Sequence, residues 1–180
     1  MNTPVLVSDE YREQLEKIHS TQEWGNTAKN KWKEITDIAE ELQETTILDY
    51  GAGQGSLRKK LQEEFPDKYT IVEYEPGKEK LSALPAPHNF VVCIDVLEHV
   101  ETELVDNVLD DLKRVTIKKG MFSISTRLAK KILPDGRNAH LTVKPLEWWE
   151  PKLKERFNIL HVRSYEDGAE FTVEAKNEEL

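Results

Sequence analysis

Cysteine is almost missing from this chain: Cys93 is the only one in 180 residues. That excludes an internal disulfide and gives no sign of an oxidising compartment. No apolar run approaches the roughly 18–20 residues that span a bilayer. Met1 to Glu10 lacks the basic segment and apolar run of a signal peptide. The expected location is therefore the cytoplasm, with no membrane and no disulfide partner. There is no excess of positive charge: 25 Lys and Arg stand against 34 Asp and Glu, a net charge of -9, which argues against a general nucleic-acid binder. Repeats and low-complexity stretches are absent. The length suits a single domain, and 38% hydrophobic with 33% charged residues is ordinary for a globular protein.

What cationic charge there is clusters. Lys113 to Lys144 carries nine basic residues and one acid, Asp135. This reads either as solvated charge on a helix end and a loop, or as a local surface for anions.

Apolar spacing divides the chain into alternating elements. Ser8 caps a helix over about Asp9–His19, and Gly25-Asn26 breaks it. Trp32, Ile35, Ile38, Ala39 and Leu42 mark a second helix over about Ala28–Gln43. Strands are predicted at Thr46–Tyr50, Tyr69–Tyr74, Phe90–Val96 and Met121–Thr126. Leu57, Leu61 and Phe65 share a helix face that Pro66 ends. Glu101–Val115 is predicted helical, and Pro145 starts a helix through Leu146, Trp149, Leu153 and Phe157. Arg127 to Lys144 reads as a long loop. Asn158–Tyr165 and Phe171–Ala175 form a hairpin through Asp167-Gly168. The expectation is an α/β fold: a doubly wound, mostly parallel sheet with a C-terminal antiparallel hairpin. Ligands on such sheets bind at the carboxyl ends of the strands, where Asp49, Glu75 and Asp95 fall.

The segment Asp49-Tyr50-Gly51-Ala52-Gly53-Gln54-Gly55 joins a strand to a helix. Alternating glycines allow a sharp turn and close approach of a ligand to the backbone. A dinucleotide fingerprint would need Gly or Ala where Ser56 stands. Asp49 would repel a pyrophosphate but suits the ammonium of a methionine moiety. Glu75, at the end of the next strand, is placed to accept hydrogen bonds from both ribose hydroxyls.

These residues resemble the first motif and ribose-binding acid of class I S-adenosylmethionine-dependent methyltransferases. Asp95-Val96-Leu97-Glu98-His99-Val100 resembles the segment after their fourth strand. Leu133 to Leu141 with Glu147-Trp148-Trp149 looks like small members encoded by phages and prophages. The resemblance implies a Rossmann-like methyltransferase fold, S-adenosylmethionine as cofactor, and contacts to it at Asp49, Gly51, Ala52, Gly53, Glu75, Asp95 and Val96. It also implies a helical cap over 1–45, a cofactor-binding half over 46–126 and an acceptor-side half over 127–180. The chain departs from the family after Glu75, where no third strand can be read between Pro76 and Asn89.

Methyl transfer needs alignment, and a hydroxyl acceptor must also lose its proton. His99 and His140 are the candidate catalytic residues. Asp95, Glu98, His99 and His140 could instead hold a divalent Mg or Mn ion that acidifies a hydroxyl. That grouping resembles ubiquinone-pathway O-methyltransferases and small-RNA 3′-end 2′-O-methyltransferases, which carry Glu where Asp95 stands. A structural His–Glu pair is the third reading. Cys93 and Trp149 read as core; Trp148 is a candidate stacking residue and Trp24 a candidate lid residue. The leading function is O-methyl transfer to a small-molecule, nucleotide or nucleic-acid acceptor, anionic if it meets the 127–144 loop. The alternatives are a cofactor- or nucleotide-binding protein without methylation, and a nucleotide-dependent oxidoreductase that Ser56 and Asp49 disfavour.

Overall fold

A computed structural model describes residues 4–21 and 26–176. Trp24 lies outside the described residues. Helix α1 covers Asp9–Thr21. A 3-10 turn, Ala28–Lys31, leads into α2, Trp32–Leu42. Then follow β1 (Thr46–Tyr50), α3 (Ser56–Glu64), β2 (Thr70–Tyr74) and β3 (His88–Ile94). The chain continues through α4 (Val105–Val115), β4 (Thr116–Ser125), α5 (Leu146–Arg156), β5 (Phe157–Tyr165) and β6 (Gly168–Ala175).

The six strands form one sheet in the order β2-β1-β3-β4-β6-β5. β1 pairs parallel with β2 and β3, and β3 with β4. β6 runs antiparallel to both β4 and β5, as the hairpin requires. No strand lies between Glu75 and Pro87. A 3-10 turn, Glu79–Leu81, fills that segment, so β2 is the sheet edge.

Strand side chains alternate between two cores, because successive residues point to opposite faces. Leu48, Val91, Cys93 and Phe122 meet α4 and α5 through Val108, Leu112, Trp149 and Leu153. Ile47, Phe90, Val92 and Met121 meet α2 and α3 through Ile35, Ala39, Leu57 and Leu61. Phe122 is fully buried; truncation to alanine costs about 3–5 kcal/mol by loss of transfer energy and cavity formation. A third cluster joins Val7, Tyr11, Leu15 and Ile18 to Leu133 and Ala139, so α1 packs on the 127–144 loop.

Several boundaries differ from the sequence reading. β3 stops at Ile94, because Asp95 adopts a left-handed backbone (φ 52°). β4 starts five residues early, at Thr116, since polar Lys118 and Lys119 hid a strand whose buried half begins at Gly120. The hairpin turn is Glu166-Asp167, with Gly168 already paired to Ser125.

Candidate active site

The carboxyl ends of β1, β2 and β3 open onto one cavity of about 440 Å³. Gly51, Ala52, Gly53, Glu75, Asp95 and Val96 line it, together with His99 and His140. Gly51 has a left-handed backbone (φ 85°), and a Cβ there would collide with the Val96 side chain. Only glycine lets the loop pass so close to the segment after β3.

Asp49 does not line the cavity. It is buried at the end of β1, and its Oδ2 has no hydrogen-bond partner among the described residues. Burial, with Glu73 and Glu75 nearby, pushes its carboxyl up to about 7. A cation brought to it would relieve that cost. Glu75 is placed differently. Its Oε2 accepts from the Gly53 N–H (2.9 Å), and its Oε1 accepts from the Gly77 N–H (3.0 Å). Burial raises its pKa, but His19 and the two backbone donors more than offset that and hold it below the usual range.

At the far end of the cavity, Glu98, His99 and His140 bring ligand atoms within 4.8 Å of one another. Glu98 is fully buried. Its Oε1 accepts from the Ser125 N–H (3.1 Å), whereas Oε2 has no partner among the described residues. Burial and nearby Asp95 push it up to about 8. His99 Nδ1 lies 2.8 Å from the Ala139 carbonyl, and His140 Nδ1 2.6 Å from the Arg127 carbonyl. A carbonyl only accepts, so each Nδ1 carries a proton, and the lone pair of a neutral ring is on Nε2. Burial and the neighbouring His140 lower His99 to about 4, which keeps it neutral. Imidazoles anchored by Nδ1–H to backbone carbonyls are how metal ligands are oriented.

Asp95 does not join this cluster. Its Oδ1 accepts from Ser123 Oγ at 2.5 Å, and the shorter side chain stays at the strand end. Three of the four expected ligands come together.

The basic window is split by the fold. Lys118 and Lys119 pair with Glu44 and Glu41 near the end of α2, and Arg114 pairs with Asp111. Only Arg127, Lys130 and Lys131 reach the cavity. Trp148 is not among the lining residues; Lys152 covers its ring at 4.8 Å and Lys144 lies at 5.9 Å. Cys93 and Trp149 are fully buried core, as expected.

The sequence reading placed a helical cap over 1–45 but named no cavity residue on α1. Tyr11, Leu15 and His19 line the cavity, and Glu101 clips the helix start by accepting from Ser8 N–H (2.9 Å) and Ser8 Oγ (2.6 Å). Only the Ser8 cap gave any sequence signal.

A doubly wound sheet with a glycine loop between Asp49 and Glu75 defines a class I S-adenosylmethionine-dependent methyltransferase. The methyltransferase-domain family profile matches residues 11–170, and the chain belongs to that family. No curated protein sequence matches it significantly. Among solved structures, it is similar to the 1,6-didemethyltoxoflavin-N1-methyltransferase of Burkholderia thailandensis, seen with S-adenosylhomocysteine bound: 13% identity, TM-score 0.65, covering 98% of this chain and 94% of that one. An O-methyltransferase family protein from the same organism gives 10% identity and TM-score 0.60 over 98% of this chain and 65% of that one. Magnesium protoporphyrin IX methyltransferase of Synechocystis gives 13% identity and TM-score 0.54 over 93% and 95%. The likeness to phage-encoded members draws no support from these comparisons. No described helix is long and apolar enough to cross a membrane. The chain is an S-adenosylmethionine-dependent methyltransferase.

Proposed function

We propose that the enzyme methylates an oxygen on an anionic acceptor, with a divalent cation held by Glu98, His99 and His140. The observation that carries this is the buried Glu98 Oε2 without a partner among the described residues, beside two imidazoles whose Nδ1–H groups are fixed by carbonyls. A carboxyl pushed up to about 8 beside two imidazole rings lacks a compensating ion. When bound, a divalent ion there would acidify a hydroxyl acceptor.

The chain's own residues do the rest. Gly51 and Gly53 admit the cofactor close to the backbone, Glu75 accepts from its ribose, and Asp49, buried behind the glycine loop, favours its ammonium by charge rather than by lining the cavity. Asp95, Val96 and Ala52 complete the wall between cofactor and acceptor. Without an ion, His99 Nε2 and His140 Nε2 remain the bases able to take the acceptor proton. Arg127, Lys130 and Lys131 attract an anionic group at the cavity mouth. Residues 1–45 cap the cofactor, 46–126 hold it and 127–180 present the acceptor. A single buried cysteine suits a reducing cytoplasm.

Manganese titration followed by thermal melting tests the ion. A rise in melting temperature that Glu98→Ala and His140→Ala both remove supports it. A melting temperature unmoved by millimolar manganese or magnesium removes the ion from the mechanism and leaves the histidines as bases.

A further inference from the structure

The cofactor seat described above gives His19 no contact with the cofactor, although its side chain is only 4% exposed and lines the cavity. Its proton can be placed by elimination. Lys78 Nζ can only donate, and it donates to Gln54 Oε1 at 3.2 Å. That fixes the Gln54 amide, whose Nε2 then faces His19 Nδ1 at 3.3 Å. An amide nitrogen also only donates, so Nδ1 accepts and the proton of the neutral ring is on Nε2. The Nε2–H points at Glu75 Oε1 from 3.4 Å, outside good hydrogen-bond length, and has no other acceptor among the described residues.

Glu75 offers about four lone-pair sites. The Gly53 N–H occupies one on Oε2 and the Gly77 N–H one on Oε1. One site per oxygen is left, which matches the two O–H donors of a vicinal diol. A hydroxyl that donates to Oε1 brings its own oxygen beside the His19 N–H. Gly77 makes room for this. A Cβ there would sit 2.6 Å from Leu15 Cβ and 2.8 Å from the His19 ring, so any side chain would push α1 away.

We propose that His19 is a ribose-binding residue: its Nε2–H donates to the hydroxyl that donates to Glu75 Oε1, so that α1 and the strand end read the cofactor diol together. This rests on the S-adenosylmethionine reading of the cavity. It ties the N-terminal helix to the cofactor rather than only to the fold.

The test is calorimetry with S-adenosylhomocysteine and its 2′-deoxy and 3′-deoxy analogues. Against the unmodified enzyme, one of the two analogues binds about tenfold more weakly than the parent compound. His19→Phe, which keeps the ring shape, loses about tenfold toward the parent and no longer distinguishes that analogue from it. His19→Gln, which keeps an N–H at a similar reach, recovers most of the affinity. Gly77→Ala behaves like His19→Phe, and it carries the same comparison if the phenylalanine variant does not fold. A folded His19→Phe that binds the parent as tightly as before overturns the role. So does an equal loss toward parent and both analogues, since that is the signature of a merely structural residue. If the unmodified enzyme binds no S-adenosylhomocysteine at all, the cofactor reading itself falls, an outcome distinct from a silent His19.

Discussion

Glu75 and Glu98 are both buried carboxyl groups in one cavity, with exposures of 6% and 0%, yet their acidities move in opposite directions. Glu75 is held below the usual range, whereas Glu98 is pushed up to about 8. Burial acts on both. The difference is in the surroundings: Glu75 has two backbone N–H donors and the His19 ring nearby, while Glu98 has the Ser125 N–H and the Asp95 charge nearby. Charge inside a protein follows the available donors rather than depth. One end of the cavity is a carboxylate with lone pairs left for donors; on the proposed reading, the other takes its positive charge from a bound ion.

The largest effect expected from this contrast is on the cation. Chelation should abolish turnover, and manganese or magnesium should restore it, while affinity for S-adenosylhomocysteine changes by less than about threefold. Full turnover in chelator would break the contrast. Next in size, Glu75→Ala should weaken S-adenosylhomocysteine binding about 100-fold, as expected for hydrogen bonds to a charged acceptor. Calorimetry reads this directly, and unchanged affinity would take Glu75 out of the seat.

Asp49 sharpens the contrast through pH. Its folded pKa of about 7 lies above the ordinary 3.8. The folded state therefore holds a proton that the unfolded state has lost over that window. Stability is fully present below about pH 3.8 and falls as pH rises toward 7. Asp49→Asn should remove roughly 1–2 kcal/mol of the stability lost between pH 5 and pH 7, read by urea melts. An identical slope in the variant would mean that Asp49 is already ionised. The smallest effect expected is at the clip between α1 and Glu101. Ser8→Ala should cost about 1 kcal/mol of stability, because the hydroxyl caps the helix by accepting from Tyr11 N–H at 3.0 Å. A cost well above that, measured by denaturant midpoint, would show that the clip supports more than the helix end.

Legibility in the sequence follows locality. β1 is predicted to the residue because Ile47 and Leu48 lie between a turn and the glycine loop, all within a few positions. The missing third strand is also visible, since Pro76, Pro85 and Pro87 leave no room for a paired run. The ends of β3 and β4 are not. A left-handed Asp95 and a polar first half of a strand have no periodic signature. Asp95 is expected beside Glu98 because only two residues separate them, but the strand end turns its side chain to Ser123.

By itself the sequence determined the alternating elements, the glycine loop, Glu75 and the grouping of Glu98 with His99, because hydrophobic period and turn chemistry act over a few residues. The sequence offered His140 as a partner of His99 only through a family resemblance; the tertiary structure decided that the two rings meet, that His19 reaches Glu75, and that three of the basic residues, Arg127, Lys130 and Lys131, face the cavity. Those contacts join distant segments through packing of α1 on the 127–144 loop, and no local pattern encodes which distant surfaces meet.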